Sequence, residues 1–171
     1  ITGDLNFAGG NDVFTQTTGA IGGTLQMGTG DDALTIDNNQ TVEVDLGAGA
    51  DSFENNADLT GSVILGLDAE ADIDEFVNNG SITGTVDLGG GNETVSQVGS
   101  IDGDLDLGNG DDVFTYNGSG KITGILDGGA GTDTLEGNVG GQTETASTDQ
   151  TVSNTVFTAP AGGVLPFTHV N

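Results

Sequence analysis

One motif recurs along this chain at a period near 20 residues, and that spacing decides what the chain can fold into. The pattern Ile-x-Gly-x-Leu-x-Leu-Gly-x-Gly-x-Asp-x-Phe starts at Ile1, Ile21, Gln40, Leu59, Ile82, Ile101 and Ile122, with successive spacings of 20, 19, 19, 23, 19 and 21 residues. An independent marker keeps the same phase: the closing apolar residue falls at Phe14, Leu34, Phe53, Phe76, Val95, Phe114 and Leu135. Within a copy, apolar residues alternate with polar ones, as at Ile101, Leu105 and Leu107, which marks strands with one buried face. Turn-formers such as Gly108-Asn109-Gly110-Asp111 stand between them.

A unit of about 20 residues cannot bury its apolar face alone, but a stack of such units can. The reading is therefore all-β: a single-stranded parallel β-solenoid of about seven coils, each of 19–23 residues. Each strand pairs with its counterpart in the next coil, so a rise of about 4.8 Å per coil gives a rod of roughly 34 Å. The usual chirality of parallel crossovers favours a right-handed winding. Coils three and four depart from the consensus. Gln40 and Val42 replace the usual Ile and Gly, and residues 66–74 replace the short turn with one four residues longer, expected to bulge from an edge. Residues 1–137 carry the repeats; residues 138–171, rich in Thr, Ser and Gly, are read as a cap, a linker or an intermolecular strand. An uncapped solenoid end exposes unpaired backbone, a template for association.

Composition narrows the function. The 27 acidic residues face 1 Lys, giving a net charge of −26. Such a surface excludes nucleic acid as a partner, because phosphates demand a basic face. No apolar run approaches the length of a spanning helix, so direct membrane insertion is not expected. The chain has no Cys, which removes disulfides and thiolate metal sites. It begins at Ile1, without an initiator Met or a leader, and so reads as a processed or excised piece.

The stretch from Ile101 to Thr115 resembles the β-helical passenger domains of bacterial autotransporters. The turns, best at residues 128–136, resemble the Gly-Gly-x-Gly-x-Asp-x-apolar-x nonapeptide of calcium-binding RTX proteins, although here the turn occurs once per coil. The resemblance implies an extracellular or bacterial cell-surface location and a role as a stalk, adhesin segment or fibre subunit. Partners would be further copies, through the solenoid ends or the tail, or a host or surface receptor.

The motif acid recurs at Asp12, Asp32, Asp51, Asp74, Asp112 and Asp133, with Glu93 in the fifth coil. Stacking lines these up about one strand spacing apart, where two carboxylates repel by about 3 kcal/mol at an effective dielectric of 20. Ca²⁺ held by Asp12, Asp32, Asp51, Asp112 and Asp133 would relieve that repulsion. The competing reading is a plain turn in which the Asp caps backbone N–H groups and fans into solvent. A calcium-binding module that folds on export is thus the alternative function.

Enzymatic chemistry has little to work with. His169 and Lys121 are the only His and Lys, and there is no Arg. A carboxylate-only glycosidase would need two facing acids, whereas Asp31-Asp32 and Asp111-Asp112 are neighbours whose side chains leave opposite faces. Tyr116 is the one Tyr that could form a sugar platform. An ice-binding threonine row is interrupted along Thr15, Thr35, Glu54, Val77, Ser96, Thr115 and Glu136. The expectation is a protein that is not an enzyme.

Overall fold

The computed structural model describes residues 1–66, 72–117 and 120–137, together with the strands Val156–Thr158 and Phe167–Val170. It is all-β among these residues, and the pairings between the repeats are parallel. Of the long turn of the fourth copy, residues 66–74, positions 67–71 lie outside the described residues.

Two sheets line the solenoid. An eight-stranded sheet stacks the motif-closing strands Val13–Gln16, Ala33–Ile36, Ser52–Asn55, Glu75–Asn78, Thr94–Gln97, Val113–Tyr116 and Thr134–Gly137, then Val156–Thr158. A twelve-stranded sheet carries the Ile-x-Gly-x-Leu segments. The register matches the periodicity residue for residue. Phe14, Leu34, Phe53, Phe76, Val95, Phe114 and Leu135 pair in one column. Leu5, Leu25, Val44, Val63, Val86, Leu105 and Leu126 pair in a second. Gln40, Leu59, Ile82, Ile101 and Ile122 form a third.

These columns supply much of the buried core, in which Leu25, Leu105, Phe53 and Phe76 have no exposed surface. The Phe53 and Phe76 rings sit 5.8 Å apart, tilted, a favourable aromatic geometry. Among the described residues beyond 137, Val156–Thr158 continues one sheet beyond Thr134–Gly137, and Phe167–Val170 pairs with Ile122–Asp127 on the other.

In each coil the strand ladder breaks after the motif-closing strand and again at the Gly-x-Gly-x-Asp turn, and polar side chains complete the hydrogen bonding there. At one corner stands the column Gln16, Ile36, Asn55, Asn78, Gln97 and Tyr116, whose polar members donate to backbone carbonyls. The Gln16 amide donates to the carbonyls of Thr18 and Gly19, that of Asn55 to Ala57, that of Gln97 to Gly99, and the Tyr116 hydroxyl to Gly120. Asn55 also donates to the side chain of Asn78 at 2.9 Å. Outside the corner, Asn79 donates to Asn56 and Asn56 to Asp37, both at 2.8 Å. The Asn-Asn pairs at 55–56 and 78–79 are thus stacked amide ladders.

Candidate functional site

The other corner is the Gly-x-Gly-x-Asp turn, where the sequence places its only dense, repeated chemistry. Its glycines are fixed by proximity as well as by torsion. Gly47, for example, has φ +102°, and a Cβ there would lie 1.9 Å from the Gly28 carbonyl of the coil below. Only a residue without a side chain lets successive turns stack at strand spacing.

The motif acid points inward, not into solvent. Asp32 and Asp51 are 2 % exposed, and Glu93 and Asp112 not at all. One oxygen of each Asp from Asp32 onward is committed to backbone of the neighbouring coil. The N–H of Asp12 donates to Oδ1 of Asp32 (2.7 Å), that of Asp32 to Asp51 (2.8 Å) and that of Asp51 to Asp74 (2.8 Å). Further along, the N–H of Glu93 donates to Asp112 (2.9 Å) and that of Asp112 to Asp133 (3.2 Å). The residue just before each acid lies outside and runs the same device the other way. The N–H of Asp31 donates to the Asn11 side chain and that of Ala50 to Asp31. Likewise the N–H of Asp111 donates to Asn92 and that of Thr132 to Asp111. Asp31-Asp32 and Asp111-Asp112 are therefore split across the turn, one member exposed and one buried, and neither pair faces a shared substrate.

The inward ladder is expensive. The second oxygens of Asp12, Asp32, Asp51 and Asp112, and both oxygens of Glu93, are buried without a hydrogen-bond partner. Burial comes first among the causes that raise the Asp51 carboxyl from its usual 3.8 to about 7. The charges of Asp74, Asp32 and Asp31 push the same way, and the Asp32 N–H opposes them. A carboxyl with a raised folded-state value contributes stability that is full below its unfolded value and lost as pH rises through about 7. Asp51→Asn keeps an oxygen for the Asp32 N–H and removes the buried charge. It is expected to melt higher than the parent at pH 8 and no higher at pH 4, as read by thermal denaturation at both values.

The calcium suggested by the RTX-like turns can be tested against this donor set. Ca²⁺ takes about 6–8 oxygens. Asp32, Asp51, Asp112 and Asp133 have already given one oxygen to a neighbouring N–H, and the remaining acid oxygens are strung out one per coil. Among the described residues, no three acids or histidines are grouped so as to hold a metal ion. Asp12, Asp32, Asp51, Asp112 and Asp133 thus share one column, each in a separate coil.

Other candidates resolve in the same geometry. Tyr116 is fully buried and offers no sugar platform. The row Thr15, Thr35, Glu54, Val77, Ser96, Thr115 and Glu136 is in register but chemically interrupted. Lys121 is exposed, and the His169 side chain lies outside the described residues. A surface hollow of about 120 Å³, lined by Asp104, Leu105, Asp106, Ile125 and Asp127, is well under the roughly 300–1,000 Å³ of a small-molecule site. Of the polar residues at the second corner, the sequence offers Tyr116 only as a sugar platform and the Asn-Asn pairs at 55–56 and 78–79 as amide ladders or turns, and it does not single out Gln16 and Gln97. Their signal was present as a hydrogen-bonding side chain two places after the closing apolar residue.

Fold and turn chemistry together define a class, the single-stranded parallel β-solenoid repeat proteins. No family model, curated protein or solved structure matches this chain.

Proposed function

We propose that this chain is a structural segment of an extracellular or cell-surface protein: a stalk, an adhesin segment or a fibre subunit that assembles end to end. The observation that carries this reading is where the sequence spends its chemistry. The repeated acids, amides and glycines at both corners are used to hold one coil to the next. A chain so organised extends and presents faces, and does not gather groups around a substrate. The resemblance of its motif to autotransporter passengers supports a surface location, and its acidity supports contact with water.

End-to-end assembly has a physical motive. Among the described residues, Leu5–Asn6 pairs with Thr24–Thr29 and Val13–Gln16 with Ala33–Ile36, one neighbouring strand each. Val13 is 80 % exposed and Ile1 65 %. An open edge with apolar neighbours is a template for a further strand. Electron microscopy and small-angle scattering of the purified chain test the reading. Filaments that lengthen with protein concentration support the fibre form. Isolated rods that bind a cell surface support the stalk or adhesin form. A compact particle turning over a glycan would end it.

A further inference from the structure

One column of the turn corner breaks its own rule at its first member. The register stacks Ala8 under Gly28, Gly47, Gly66, Gly89, Gly108 and Gly129. Every member but the first is glycine. Ala8 nevertheless keeps the backbone of the column, with φ +75° beside +72° at Gly129. Among the described residues it is the only non-glycine with a positive φ. That torsion is unfavourable for an L-residue, and an outlier of this kind is a reason to ask what the residue is for.

The glycines above it show where the methyl group goes. At this position a Cβ points along the axis into the coil before. On Gly28 it would lie 2.1 Å from the Ala8 carbonyl oxygen, and on Gly47 1.9 Å from that of Gly28. On Gly129, whose φ matches that of Ala8, it would lie 1.7 Å from the Gly108 carbonyl oxygen. The Ala8 methyl group therefore stands where a coil stacked against the first would have to place a carbonyl oxygen. Heavy atoms that are not bonded settle at about 3.5 Å or more, so the two cannot share that space.

The core at the same end agrees. The column of Phe7 runs on through Met27, Leu46, Leu65, Leu88 and Leu107, all aliphatic. Only the first coil puts a ring there, and that ring meets Phe14 across the core, with centroids 5.3 Å apart and planes tilted. Both rings are partly buried and pack on the core cluster. Repeat arrays need end units that differ from the interior ones, and open sheet edges are commonly blunted.

We propose that the first coil is an end cap: Phe7 and Phe14 close the core, and the Ala8 methyl group is a stop that keeps a further coil with a Gly-x-Gly turn from stacking on it in register. The stop acts alike on a coil from chain ahead of Ile1 and on one from a second copy. The sheet edges at Leu5–Asn6 and Val13–Gln16 remain open, but the corner between them does not admit the turn that joins such strands. Head-to-tail continuation of the solenoid through this end is thereby blocked, which among the forms proposed above favours the stalk or adhesin segment over the fibre. The inference rests on coil geometry and not on where the protein works.

The experiment offers the full chain one more coil in cis. A copy of residues 21–39 placed ahead of Ile1 keeps the phase, because residue 39 leads directly into the coil that starts at Gln40. Two extended chains are compared, one with Ala8 and one with Ala8→Gly. Both carry Phe7→Leu, which gives the core column its interior residue type. Hydrogen exchange read by mass spectrometry follows the added strands, while protection of Val13–Gln16 and Ala33–Ile36 reports that each chain is folded. With Ala8 the added coil should exchange like unfolded chain, and with Ala8→Gly its strands should gain about tenfold protection or more. Equal exchange in the two chains, fast or slow, overturns the proposal. If Phe7→Leu prevents folding, the same pair with Phe7 kept decides. Ala8→Gly in the chain without the added coil should melt within a few degrees of the parent, since glycine takes this φ freely. A large loss there would mean that the methyl group packs within the fold, and the stop would fail with it. Neither readout depends on filaments or surface binding, so the outcome is separate from that of the function proposed above.

Discussion

Gly108→Ala is expected to destroy the cooperative fold, while Gly10→Ala lowers the melting temperature by only a few degrees. The two glycines stand at the two positive-φ positions of the turn in different coils, Gly10 two residues before its motif acid and Gly108 four, with φ +111° and +95°. An L-residue in that region costs about 1–2 kcal/mol in either place. They differ in what lies beneath. Around Gly10 nothing would come within 4 Å of a new Cβ. At Gly108 the Cβ would lie 1.7 Å from the Gly89 carbonyl oxygen. That carbonyl accepts the Asn109 N–H at 2.9 Å, so the methyl group must part the coils at a hydrogen bond that joins them. The clash adds to the torsional strain, for a total above about 4 kcal/mol, in the range that unfolds a domain of ordinary stability. Thermal melts of the two variants beside the parent measure the difference. Equal losses would mean that torsion alone requires the glycines and that the turns do not stack at strand spacing.

The contrast also shows which parts of this molecule were legible beforehand. Solenoid architecture, the phase of the coils and their pairing partners follow from spacing alone. A period near 20 that keeps Phe14, Leu34 and Phe53 in step leaves little choice but to stack them, and the register places them in one column. The direction of the motif acid was not legible in the same way. Alternation predicts inside or outside along a strand, but the acid sits at a corner, where the period-two rule stops. A carboxylate there would ordinarily be assigned to water. It turns inward because the neighbouring coil presents a backbone N–H that lacks a strand partner, and satisfying it outweighs exposure of one oxygen. That demand comes from the stack and cannot be seen within one copy of the motif. The same reasoning accounts for Asn55 and Gln97, polar residues that look misplaced in a strand until the carbonyls of Ala57 and Gly99 are counted. Sequence identifies the columns. The hydrogen-bond deficits at the two corners decide which way their polar members face.

Phe76→Ala is expected to cost about 3–5 kcal/mol, the usual toll for deleting a buried aromatic side chain. It should affect the whole rod and not one coil alone. Phe76 has no exposed surface and packs its ring on Phe53. In the ladder it pairs with Phe53 on one side and Val95 on the other. A globular core can relax around a truncation from several directions. A column can close the gap only by moving coils along the axis, and the parallel hydrogen bonds of both sheets resist that movement. The cavity therefore stays, and its cost stays near the upper end of the range. A solenoid behaves as a chain of nearest-neighbour interfaces, so weakening the fourth coil divides the rod into two shorter stacks, each with fewer interfaces to sustain it. Chemical denaturation should show a lower midpoint and, if the halves uncouple, a shallower transition. Hydrogen exchange should show lost protection first in Glu75–Asn78 and in the adjoining strands Ser52–Asn55 and Thr94–Gln97. Val13→Ala, in the same sheet but 80 % exposed, provides the comparison and should fall within about 0.5 kcal/mol of the parent. Similar losses for the two variants would mean that Phe76 does not stand in a shared column, and the stacked account of this chain would fail with it.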